Sequence, residues 1–78
     1  MTSADEWARK KVKGSIEEYV MGVWEKANLA WVVGEVNFAV EKALVPMDEI
    51  RAMISNAEAS ASEDGKKRVS ELRKRLGI

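Results

Sequence analysis

The chain has 78 residues, 13 basic against 13 acidic side chains, and neither cysteine nor histidine. That composition excludes disulfides, Cys/His zinc sites, thiol nucleophiles, Ser-His-Asp triads and histidine general bases. The charges cancel but are sorted: residues 1–14 carry four bases against two acids, residues 15–65 three against ten and residues 66–78 six against one, a running balance of +2, −7 and +5.

Ser3 and Glu6 have the spacing of a capping box, and Asp5 and Glu6 suit the positive end of a helix. Arg9, Lys10, Lys11 and Lys13 suit the negative end, and Gly14 fits a left-handed stop, so a first short helix is predicted over 4–13. Its apolar content is only Trp7, Ala8 and Val12, so it needs a surface to lie on, unless it runs straight into the next helix. Ser15 and Glu18 repeat the capping pattern. Beyond them Ile16, Val20, Val23, Ala27, Ala30 or Trp31, Gly34, Phe38 and Val45 recur at helical spacing, and no proline intervenes before Pro46. A long central helix is predicted over 16–44, about 43 Å at 1.5 Å per residue.

From Leu29 onward a second apolar face accompanies the first: Val32, Val33, Val36, Ala39, Val40, Ala43 and Leu44 lie roughly opposite the Trp31–Phe38 stripe. A helix apolar on two sides must be covered on two sides. The C-terminal part of the chain covers one, and a second copy or a partner is expected on the other. Two further readings stay open: Asn28 caps a new helix and the segment folds as a hairpin of helices, or Trp31–Val33 and Val36–Phe38 form a small β-hairpin about Gly34-Glu35.

Pro46, tolerated in a first helical turn, precedes Asp48 and Glu49 and the Ile50, Met53, Ile54, Ala57 stripe. A helix over 47–58 is predicted to fold back onto the Leu29–Leu44 face. Residues 59–65, small and polar, read as a loop in which Ser62 is a candidate cap. Val69, Leu72 and Leu76 make a narrow stripe on a last helix over 66–76, ending at Gly77. The fold class is thus all-α: one domain over residues 1–78, a small helical bundle with a long central helix. A domain of this size buries only about 60% of the surface its unfolded chain exposes, and with disulfides and Cys/His zinc excluded, homodimerisation is the remedy expected to complete the core.

Trp24, Trp31, Gly34 and Phe38 are the candidate self-association residues, large side chains beside small ones at seven-residue spacing. Lys66, Lys67, Arg68, Arg73, Lys74 and Arg75 are candidates for contact with nucleic acid or an acidic partner. Arg9, Lys10, Lys11 and Lys13 either extend that patch or meet the acidic centre of another subunit. Val69-Ser70-Glu71-Leu72-Arg73 faintly suggests a helix-turn-helix helix, but the loop predicted before it is too long for the usual turn. The acidic residues form no cage of converging oxygens, and no GxGxxG or P-loop pattern is present. The most apolar stretch, Ala27–Val45, holds Glu35, Glu41 and Lys42, whose burial at mid-membrane would cost several kcal/mol, so no spanning helix is expected. The expected function is that of a small non-enzymatic, cytoplasmic interaction or accessory protein, a helical homodimer with an unidentified protein partner and no cofactor or metal. The rival expectation is a nucleic-acid-binding regulator acting through the basic C-terminal helix.

Overall fold

A computed structural model describes residues 3–22 and 28–78. Four helices follow in order, α1 (Ala4–Met21), α2 (Leu29–Glu41), α3 (Met47–Ala59) and α4 (Glu63–Leu76). No strand occurs among the described residues, and Gly34-Glu35 lies within α2, so the β-hairpin reading is set aside. The helix predicted over 16–44 is instead divided between α1 and α2.

Local chemistry explains the boundaries. The Ser3 hydroxyl accepts from the Glu6 N–H at 3.4 Å, and α1 ends where Gly22 enters the left-handed region at φ 66°. The Gly22 N–H donates to the carbonyls of Glu18 and Tyr19. The Asn28 side-chain oxygen accepts from the Trp31 N–H at 2.9 Å and opens α2. The Ser62 hydroxyl accepts from the Gly65 N–H at 3.2 Å and opens α4 three residues earlier than the sequence predicts. Each of these bonds satisfies a donor or acceptor that the helix itself leaves unpaired.

Gly14 does not stop α1. It sits mid-helix because the stripe Ala8, Val12, Ile16, Tyr19 and Val20, all buried, runs straight through it. That continuous face puts α1 at the centre, against each of the other helices. With Val32, Val36 and Ala39 of α2, Ile50 and Ile54 of α3, Val69 and Leu72 of α4, and Val45 from the α2–α3 connection, it forms the core. The inward face of α2 rests on α1 and α4, and α3 packs chiefly on those same two helices. The predicted fold-back of α3 onto α2 therefore gives way to packing on α1, because the longer first helix occupies the middle of the bundle. Arg9 of α1 donates to the Glu49 carboxylate of α3 from both Nε and Nη2 and also reaches Asp5 at 3.3 Å. Its guanidinium holds the Glu49 carboxyl below the usual carboxylate range.

The end of α2 has a less usual cap. Leu44 N–H donates to the Ala39 carbonyl and Ala43 N–H to that of Val40, the pattern of a Schellman turn, and Ala43 takes φ 55°. Gly77 fills the same position after α4 at φ 73°. An alanine in the left-handed region is strained by its Cβ, so Ala43→Gly should stabilise the fold by about 1 kcal/mol. Gly14→Ala should do so by a similar ~0.5–1 kcal/mol, because a Cβ there meets nothing within 4 Å and helix-interior glycine is entropically costly. Each substitution should raise the calorimetric midpoint by several degrees, at about 4–8 °C per kcal/mol for a domain of this size. An unchanged or lowered midpoint would contradict the geometry described.

Candidate functional site

The outer side of the α1–α2 pair carries the most distinctive surface. Around Gly34, at about 100° per residue, the outward face of α2 presents Ala30, Trp31, Asn37, Phe38 and Glu41, all exposed. The opposite face, with Val32, Val36 and Ala39, is closed by the chain itself. The two-sided apolar character predicted for this segment is thus present, with one side enclosed and the other facing out. Trp31 remains 45% exposed and Phe38 54%, and Trp7 of α1, 54% exposed, stands across from them. Between the two helices lies an open groove of about 470 Å³ with Ala8 and Ala39 among its lining.

The polar groups at this groove are internally satisfied. Glu35, its side chain only 16% exposed, accepts from the Ser15 hydroxyl and lies 4.0 Å from the Lys11 ammonium. Lys11 also sits 4.9 Å from the centre of the Trp7 ring, and Lys42 sits 6.0 Å from that of Phe38, both within cation–π reach. Among the described residues no buried side-chain nitrogen or oxygen lacks a hydrogen-bond partner. The groove therefore offers apolar area and ring faces, with no orphaned group to select a particular polar ligand. The charged residues of its lining, Lys11 and Glu35, are of opposite sign and lie beside one another.

Three of the four candidate self-association residues, Trp31, Gly34 and Phe38, share this face, and Trp24 lies outside the described residues. Trp7 was missed as a site residue, and Lys11 was read only as part of the basic cluster Arg9–Lys13. On a helix running unbroken through Gly14, Trp7 falls away from the Ala8–Val12–Ile16 stripe and so reads as a surface aromatic. The premature stop concealed that signal.

The basic candidates separate into two kinds. Arg68 donates to the Val20 carbonyl at 3.1 Å, closing the end of α1, and Arg73 donates to Glu58 at 2.9 Å. Lys66, Lys67, Lys74 and Arg75 are exposed on α4, where Glu63, Asp64 and Glu71 are exposed as well. Near the N-terminus Arg9 and Lys11 are engaged within the chain, while Lys10 and Lys13 are exposed. The loop predicted over 59–65 is a connection of three residues, 60–62, so the objection from length to a helix-turn-helix falls away. The acids of the first turn of α4 still oppose the approach of a phosphate backbone at that end.

Among the described residues no helix is long and apolar enough to cross a membrane, and no group of three or more His, Cys, Asp or Glu is placed to hold a metal ion. Comparison with known protein families, with curated proteins and with solved structures finds no match.

Proposed function

We propose that this chain is a small non-enzymatic interaction protein that works as a helical homodimer joined through the Trp7–Trp31–Phe38 groove. The supporting observation is the exposure of three large aromatic side chains on one side of the α1–α2 pair, while the other face of α2 is already covered by its own chain. Aromatic side chains set in a groove are the usual anchors of protein interfaces. Finishing the burial of each half-exposed ring contributes about 1 kcal/mol, and a symmetric contact counts each ring twice.

The charge pattern favours a second copy as the occupant. A surface that meets itself about a two-fold axis must not oppose like charges, and a groove whose charged lining is the paired Lys11 and Glu35 carries no block of one sign. A nucleic acid or an anionic bilayer calls for a predominantly cationic edge. The exposed cations of α4 lie outside this groove and remain for an acidic partner of the dimer.

Light scattering at high micromolar concentration should give twice the chain mass for the native protein. Phe38→Ala, Trp7→Ala and Gly34→Leu should each shift the midpoint of dissociation upward by tenfold or more, about 1.4 kcal/mol. A native protein of single-chain mass at those concentrations overturns the proposal. The rival mode, nucleic-acid binding through Lys66, Lys67, Lys74 and Arg75, is separated by titrating duplex DNA at two salt concentrations, because phosphate contacts weaken steeply as salt rises.

A further inference from the structure

The α1 side of the groove is built on one line of side chains. Trp7, Lys11 and Ser15 recur every four residues and so share an edge of α1, which is helical through all three. A long helical side chain leans toward the N-terminus, which carries Lys11 back over Trp7, and its ammonium lies 4.9 Å from the centre of that ring. The same ammonium lies 4.0 Å from the Glu35 carboxylate of α2, and the other oxygen of that carboxylate accepts from the Ser15 hydroxyl. We propose that Lys11 is a positioning residue: clamped by Glu35, it holds the Trp7 ring in the pose in which the second copy receives it. This rests on the homodimer reading above and adds the residue that prepares its α1 anchor.

Burial falls steadily along this relay. Ser15 is 8% exposed, the Glu35 side chain 16%, that of Lys11 50% and Trp7 54%. The relay is thus rooted in the contact between α1 and α2 and ends on a ring half open to solvent. Cation–π attraction at an exposed site is weak, and so is an ion pair between two mobile side chains. Here one partner is fixed. Glu35 is largely enclosed and bonded to a buried hydroxyl, so its pair with Lys11 is less screened and only the lysine has freedom to lose. An aromatic side chain gives up rotamer freedom when it docks, and a ring already held gives up less.

The Phe38 side of the groove supplies the contrast. Lys42 lies 6.0 Å from the centre of the Phe38 ring, at the limit of cation–π reach. Among the described residues no carboxylate lies within 4.0 Å of the Lys42 ammonium. Lys42 is therefore a lysine over a ring without the clamp, and it serves as the control.

The test reads the order of the Trp7 indole N–H by nitrogen-15 relaxation, in a Phe38→Ala background expected to remain a single chain. With Lys11 in place the order parameter should match the rigid backbone, at about 0.85, and in Lys11→Met it should fall below about 0.6. Glu35→Gln keeps an acceptor for Ser15 but not the charge, and should loosen the ring as well. Lys11→Arg keeps the charge and stacks on an aromatic face, so it should hold the ring, and Lys42→Met should leave Trp7 as it was. A Trp7 indole that stays ordered in Lys11→Met or in Glu35→Gln overturns the proposal, and so does one that Lys11→Arg leaves as loose as Lys11→Met does. With Phe38 restored, light scattering should show the dissociation midpoint raised about three- to tenfold in Lys11→Met and by less than about twofold in Lys11→Arg. A native dimer whose midpoint Lys11→Met does not move overturns the proposal too. A native protein of single-chain mass sinks the homodimer reading itself, and the indole order then still decides whether Lys11 holds the ring.

Discussion

Leu72→Ala should remove about 2–5 kcal/mol from the stability of the fold. Leu72 is fully enclosed on the inner face of α4, within the core that also holds Ile16, Ile50 and Val69. Removing its isobutyl group loses transfer free energy and leaves a cavity that rigid helices fill only in part, at a cost of about 2–5 kcal/mol. A domain of this length has roughly 4–12 kcal/mol of stability in all. Urea unfolding followed by far-ultraviolet circular dichroism should therefore show the midpoint displaced by at least 1 M, given a slope of about 1–2 kcal/mol per molar. The experiment belongs at low micromolar concentration, because the proposed self-association would stabilise the folded form and mask part of the loss. A change below about 1 kcal/mol would mean that α4 does not close the core as described.

Gly65→Ala should destabilise the fold by about 1–3 kcal/mol, the opposite sign to Gly14→Ala. Both glycines are helical, and propensity alone predicts a gain at each. The surroundings decide otherwise. A Cβ at Gly65 would lie 2.9 Å from the Val20 carbonyl oxygen and 2.9 Å from the Ala61 Cβ, closer than real side chains approach. The oxygen belongs to the backbone of α1, so relief requires the start of α4 to move away. That movement draws Arg68, one turn further along α4, off the carbonyl it caps. Thermal unfolding of the two alanine variants side by side gives the sign directly. A midpoint raised in both would show that the α1–α4 contact is looser than these distances require.

The parts of the fold legible from the chain are those governed by neighbours in sequence. Ser3, Asn28 and Ser62 cap helices because a short oxygen-bearing side chain reaches an amide three residues on, and Gly77 ends one because it tolerates the left-handed region. The helix over 47–58 has its acids in the first turn and its stripe within thirteen residues. Harder to read were the places where distant packing outweighs a local signal. Gly14, between basic residues and a cap-like serine, has the chemistry of a stop, but burial of Ile16, Tyr19 and Val20 outweighs the cost of one helical glycine. The division between α1 and α2 was obscured for the opposite reason, since the apolar spacing carries on across residues 22–28 without a proline. Ala43 adopts a glycine conformation with no glycine to mark it. In the candidate site, Trp31, Gly34 and Phe38 were readable from spacing on one helix. The Trp7 side of the groove depends on how α1 lies across α2, which no spacing within either helix encodes.

The hydrogen bond from Arg68 to Val20 has a consequence for biosynthesis. The last helix seals the end of the first, so the core lacks a wall until residues 63–76 leave the ribosome. A nascent chain carrying only α1 to α3 exposes the apolar positions that Val69 and Leu72 later cover. Until α4 has emerged, those positions are open to chaperones.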